Sequence, residues 1–307
     1  MKSFGRRVVT GPEGVSSDGP AIKTIDVPGS FAVSEVLWLD GPATDVADGR
    51  DRLEESFPLE PPPGAASARL IRLPATGSWL RVEGDTEEAP GMHTTDTLDF
   101  MVVLEGEVVL GMGGGSETTV RAGDYVVQRG TPHRWRVASE EPCTYFVTML
   151  RPDASAAGAG WRRRPGDPAL PRRLVTEGDG VVEDNGTLGL SAGSASLVDV
   201  WHTGAALRDA RQGGDPEGPW ALEPPPGGVS FRQCVLEPGP PMEAGWHQTR
   251  TIDIDLLLSG RLGLDLPDGV SVELDPGDVV VQRGTDHRWR VIGDEPARFA
   301  TVMFALA

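Results

Sequence analysis

Gly123 to Val137 reads GDYVVQRGTPHRWRV, and Gly277 to Val291 reads GDVVVQRGTDHRWRV, with 13 of 15 positions identical. A second pair fixes the register: MHTTDTLD at Met92 to Asp99 aligns with WHQTRTID at Trp246 to Asp253, at the same offset of 154 residues. The chain is therefore two copies of one unit, each expected to build the same supersecondary plan. Four of the five histidines fall at equivalent positions, and only His202 lies outside the pattern.

Working outward, RRVVTG from Arg6 parallels RRLVTEG from Arg172, and PPPG at Pro61 to Gly64 parallels PPPG at Pro224 to Gly227. Between the copies, RPDASAAGAGWRRRPGDPALP is rich in Ala, Gly, Pro and Arg without an apolar period, as an exposed connection would be. These marks predict a first domain over residues 1–151, a linker over 152–169 and a second domain over 170–307. Aligning ARLIRLP, ending at Pro74, with RQCVLEP, ending at Pro238, gives an offset of 164, so the first copy is expected to carry ten extra residues before His93. That insertion is expected to form a loop or hairpin near the histidine. If it lids the pocket, the first copy is the active one.

The 307 residues include 40 Gly and 27 Pro, and the apolar residues come in short Val-rich runs. This favours brief strands joined by tight turns, an all-β class. VLEGEV and LLSGRL place Gly106 and Gly260 between apolar runs and read as strand, tight turn and returning strand. Met92 to Phe100, read as a strand, puts His93, Thr95, Thr97 and Asp99 on one face by its period of two. His247, Thr249, Thr251 and Asp253 repeat the set, and His133 or His287 is placed to approach from a neighbouring strand.

The formal charge of −18 argues against nucleic acid or an anionic membrane as partner, since both call for a basic surface. The Arg162, Arg163 and Arg164 cluster sits in the expected linker. No apolar stretch approaches the length of a membrane span, and the first residues lack a signal-peptide core, so the expectation is a soluble cytoplasmic protein. Cys143 and Cys234 are not at equivalent positions and read as buried thiols.

His93, Thr95, Asp99 and Gly106, with Gly123, Gly130 and His133 after them, resemble the two motifs of the cupin family. His247, Thr249, Asp253, Gly260, Gly277, Gly284 and His287 repeat the resemblance, making the chain similar to a bicupin. Thr95 and Thr249 stand where the family has a second His, Asp99 and Asp253 where it has Glu, and Val137 and Val291 where it has Asn. The resemblance implies two tandem jelly-roll-like barrels of the double-stranded β-helix type, packed as an intramolecular pseudo-dimer that can pair again as a homodimer.

It further implies a divalent ion, Fe, Mn, Ni or Zn, held by His93, Asp99 and His133 in one barrel and by His247, Asp253 and His287 in the other. His93, Asp99 and His133 are the candidate catalytic set. Thr95, Thr97, Gln128, Thr249, Thr251 and Gln282 are candidate substrate-binding residues. The expected function is metal-dependent small-molecule chemistry of a dioxygenase, isomerase or cyclase kind. The alternative is a non-catalytic small-molecule-binding bicupin in which these residues hydrogen-bond one another without metal.

Overall fold

The computed structural model describes residues 6–12, 14–19, 24–27, 31–49, 58–153, 167–216, 219–239 and 245–307. Most of the expected linker, with Arg162, Arg163 and Arg164, lies outside them. The strands of the first half are β1 (Arg7–Gly11), β2 (Gly14–Gly19), β3 (Thr24–Val27), β4 (Phe31–Leu39), β5 (Ala66–Leu73), β6 (Leu98–Glu105), β7 (Glu107–Met112), β8 (Glu117–Arg121), β9 (Tyr125–Arg129), β10 (His133–Arg136) and β11 (Cys143–Leu150). The second half repeats them as β12 (Arg172–Glu177), β13 (Gly180–Asn185), β14 (Thr187–Ala192), β15 (Ala195–His202), β16 (Val229–Leu236), β17 (Thr251–Ser259), β18 (Leu262–Asp265), β19 (Ser271–Leu274), β20 (Val279–Arg283), β21 (Arg288–Val291) and β22 (Ala297–Ala305). Among the described residues no helix is long and apolar enough to cross a membrane.

Each copy joins an eight-stranded sheet to a three-stranded one. The first pair has orders β13-β12-β9-β6-β11-β5-β4-β3 and β10-β7-β8, and the second β14-β15-β16-β22-β17-β20-β1-β2 and β19-β18-β21. The sheets do not divide where the sequence repeat does. β1 pairs in parallel with β20, Val8 opposite Val280, and β12 pairs in parallel with β9, Leu174 opposite Val126. Each copy's arm thus covers an edge of the other copy's sheet, which removes a row of unpaired backbone groups from each.

Alternation along β6 shows why the two sheets stack. Leu98, Phe100 and Val102 point one way, into a cluster shared with Phe231, Ile252, Ile254 and Val302 of the second copy. Phe100 and Phe231 stack there with ring centroids 5.1 Å apart. Complete burial of each such side chain contributes roughly 1.5–3 kcal/mol. Met101 and Val103 point the other way, into the first barrel with Val126, Val147 and Met149. Leu257, Val280 and Phe299 fill the second barrel in the same manner.

Three sequence readings are corrected. Gly106, at φ +74°, does not join a hairpin: β6 is already flanked by β11 and β9, so the chain turns a corner and β7 starts the three-stranded sheet. The strand expected over Met92 to Phe100 begins only at Leu98, and residues 94–97 form a bend. Finally, Leu73 lies opposite Cys143 just as Leu236 lies opposite Ala297, so this strand repeats at an offset of 163 rather than 164. With the histidines at 154, the insertion is nine residues. It is docked along β10: Gly77 N donates to Val137 O at 3.0 Å, Leu80 N donates to Trp135 O at 2.8 Å, and Trp79 packs beneath the Arg134 guanidinium, 3.9 Å from ring centroid to carbon.

Candidate functional site

In each barrel the two repeated histidines face each other across an isolated antiparallel bridge. His93 N donates to His133 O at 3.0 Å and His133 N to His93 O at 2.9 Å, and His247 and His287 repeat the exchange at 3.0 and 2.9 Å. Closely spaced cross-strand residues bring their side chains together, and both ring pairs have centroids 4.3 Å apart at 52°. The bend after His93 explains the placement: it lets His93 leave the plane of β6 and pair with the first residue of β10.

All four rings are oriented from the backbone. Nδ1 lies 2.9 Å from Gly91 O in His93, 2.9 Å from Thr131 O in His133, 3.0 Å from Gly245 O in His247 and 2.8 Å from Thr285 O in His287. A carbonyl can only accept, so Nδ1 carries the proton and Nε2 keeps a lone pair. Burial, the neighbouring His93 and, in opposition, the Thr131 carbonyl set the His133 pKa, which falls to about 3. His287 falls to about 4 for the same reasons, with His247 as its neighbour. Burial also lowers His93. His93, His133 and His287 are thereby held neutral at neutral pH.

Asp99 lies opposite Gln128 and Met149 in the sheet, and Asp253 lies opposite Gln282 and Met303. Gln128 donates to Thr131 O at 2.9 Å and lies against the His133 ring. Burial raises Asp99 to about 7, and the Thr97 hydroxyl counters this in part. Burial and then the adjacent Asp255 carboxylate push Asp253 well above the usual carboxylate range, and burial brings Asp255 to about 7. Thr249 Oγ1 donates to Asp253 Oδ2 at 3.2 Å, and Thr97 Oγ1 donates to Thr95 Oγ1 at 2.9 Å. Thr251 is completely buried beside them.

The donors fit a resident divalent ion only in part. Nδ1 bonded to a backbone carbonyl is how metal-bound imidazoles are commonly aimed. Yet among the described residues no three His, Cys, Asp or Glu side chains are placed to hold an ion. In the second barrel His247, Asp253 and His287 line one cavity, and in the first Gln128 lies against the His133 ring.

The second barrel encloses a cavity of about 430 Å³ reached by His247, His287, Thr249, Asp253 and Asp255, with Trp220, Trp289 and Phe299 among its apolar walls. One lining residue escaped the sequence reading. Arg232, 1 % exposed, pairs with the buried Asp199 and donates to the carbonyls of Leu222 and, at 2.9 Å, Ala221. Its repeat is Arg69, likewise buried, which lies 3.7 Å from Glu35 and donates to Leu59 O at 2.7 Å and Pro58 O at 2.9 Å. The signal was present as PPPGAASAR and PPPGGVSFR, but the offset of 164 set Ala68 against Arg232. His202, read as structural, exchanges backbone bonds with Gly214. Cys143 and Cys234 are free buried thiols, with Cys143 pushed up to about 12 by burial.

Comparison with known proteins agrees with this architecture. The cupin domain family matches residues 79–149. A phomopsin biosynthesis cluster protein, C', of Diaporthe leptostromiformis is 38% identical over 111 residues, covering 34% of this chain and 53% of the relative. The chain thus spans about half the length of that relative. An oryzines biosynthesis cluster protein, J, of Aspergillus oryzae is 42% identical over 65 residues, covering 21% of the chain and 35% of the relative. The crystal structure of a putative glyoxylate-induced protein from Pseudomonas aeruginosa matches with a TM-score of 0.54 at 13% identity, covering 94% of this chain and 85% of the other. Residues 79–149 match a cupin domain, and the chain as a whole has the fold of two such barrels in tandem.

Proposed function

We propose that the chain is a cupin enzyme of small-molecule biosynthesis that moves protons on an organic substrate held inside the barrel, in an isomerisation or cyclisation. The observation that carries this is the repeated cross-strand histidine pair, with lone pairs on Nε2, which in the second barrel lines the same cavity as a buried carboxyl group. Neighbouring groups whose pKa values are pushed apart suit paired base and acid roles. In the first barrel a neutral imidazole takes a proton from carbon beside a carbonyl, while the protonated carboxyl of Asp99 donates its proton to the carbonyl oxygen. The product is an enol, which reprotonates or closes a ring. Gln128 and Gln282 hold the histidine side of the site, and Thr97 and Thr249 the aspartates. The biosynthesis-cluster relatives support a small organic substrate, and the free thiols support a reducing, cytoplasmic setting.

A metal-dependent reaction using Fe, Mn, Ni or Zn is the second reading, favoured by the carbonyl-bound Nδ1 of all four rings. One experiment separates the two. Chelator-treated protein is incubated in D2O with a panel of enolisable carbonyl compounds, and deuterium incorporation is followed by NMR. Catalysed exchange that is lost in the double variant His93→Ala, His247→Ala supports proton transfer. Exchange seen only after a divalent ion is restored overturns it in favour of the metal reading, and no exchange under either condition favours a binding protein.

A further inference from the structure

The two barrels differ in one layer. In the first, Met101 lies between Val126 and Val147 across the sheet, and all three are apolar. The equivalent layer of the second is Val280, Asp255 and Thr301, followed by Arg232 and Asp199 on the next two strands. Asp253, Asp255, Thr301 and Arg232 all line the cavity and are each at most 8 % exposed. The repeat has placed a second carboxyl group where its sister copy has a methionine.

We infer that the second barrel binds the protonated amine end of a small aromatic or aliphatic molecule, with Asp253 and Asp255 as its receptors. This rests on the reading of the barrel cavity as a small-molecule site. Three observations favour an ammonium group over other occupants.

First, Asp253 lines the cavity, and its buried Oδ1, like that of Asp99 in the first barrel, accepts no hydrogen bond among the described residues. A buried acceptor left without a donor is costly, so a ligand that donates there gains what the protein lacks.

Second, the cations at the wall are committed elsewhere. Arg232 is held by Asp199 and the carbonyls of Ala221 and Leu222, and Arg290 by Asp265 at 3.0 Å. The remaining polar capacity is weighted to acceptors, the carboxyl groups of Asp253 and Asp255 and the Nε2 atoms of His247 and His287, against one unpartnered donor, the buried Trp220 Nε1. An ammonium supplies three donors and a positive charge, whereas a hydroxyl supplies one donor and no charge.

Third, the rest of the cavity suits the body of such a molecule. Trp220, Trp289 and Phe299 offer aromatic faces, which attract cations and pack apolar groups, and about 430 Å³ is in the range of small-ligand pockets.

The test uses the full chain with chelator present throughout and compares phenethylamine with 2-phenylethanol, of nearly the same shape, by calorimetry and ligand-observed NMR. The expected result is at least tenfold tighter binding of the amine. The variant Asp255→Met with Thr301→Val copies the first barrel's layer and should lose that preference. Asp255→Asn, which keeps the shape, should weaken amine binding in the same direction if the double variant does not fold. Equal affinities, or a preference unchanged by Asp255→Asn, overturn the inference while leaving the cavity a small-molecule site. Failure of both compounds to bind, with no effect of His247→Ala on their spectra, overturns the cavity reading itself.

Discussion

Thr10 and Gln282, 272 residues apart in sequence, are joined by a buried hydrogen bond of 2.6 Å from the threonine hydroxyl to the amide oxygen. Thr285 Oγ1 donates in turn to Thr10 Oγ1 at 3.0 Å. Thr285 also supplies the carbonyl that orients His287, so the exchanged N-terminal arm is built into the histidine side of the second site.

Thr10→Val keeps the shape of the side chain and removes both bonds, leaving the Gln282 oxygen buried without a donor. The expected cost is about 1–3 kcal/mol in urea unfolding. The arm would carry no such role if the variant unfolded at the wild-type midpoint.

Asp99 gives a pH dependence with a definite sign. Its carboxyl is raised from the ordinary 3.8 to about 7, first by burial, so the folded state keeps the proton where the unfolded state has lost it. The stability it lends is complete below pH 3.8 and is lost as pH rises through about 7. Asp99→Asn removes this dependence. The variant should match the wild type near pH 4 and exceed it by up to about 4 kcal/mol at pH 8, at about 1.36 kcal/mol per pH unit. His133 and His287 titrate with the opposite sign, losing stability on acidification below 6.5, but they are common to both proteins and cancel in the difference. A constant gap between the two proteins from pH 4 to 8 would show that Asp99 ionises normally.

The sequence made the repeat, the all-β class and the paired histidines legible because identity at 13 of 15 positions survives without any structural knowledge. It did not mark which copy's sheet β1 and β12 would join, because Val-rich strands at a sheet edge carry no sign of the partner they will meet. His93 was assigned to the face of Asp99 by extending a period of two through Thr95 and Thr97, whereas the strand begins only at Leu98 and His93 is positioned by its bridge to His133. Arg69 and Arg232 were hidden for a different reason. A buried arginine looks like a surface one in sequence, and only its carbonyl and carboxylate partners, supplied by distant loops and the neighbouring strand, show it to be internal.

The corner at Gly106 separates two costs that are usually measured together. Gly106 and Gly115 both have positive φ, at +74° and +85°. A Cβ at Gly115 meets nothing within 4 Å, whereas at Gly106 it would lie 2.5 Å from the Pro142 carbonyl oxygen, and the repeat position Gly260 meets Pro296 O at the same distance. Gly115→Ala should therefore cost only the left-handed backbone penalty, about 1–2 kcal/mol. Gly106→Ala adds a clash with backbone that can be relieved only by moving the corner between β6 and β7, and should cost at least about 3 kcal/mol, in the tail of single-substitution effects. Thermal or urea unfolding of the two variants side by side measures the difference, and equal losses would mean that the corner yields without strain.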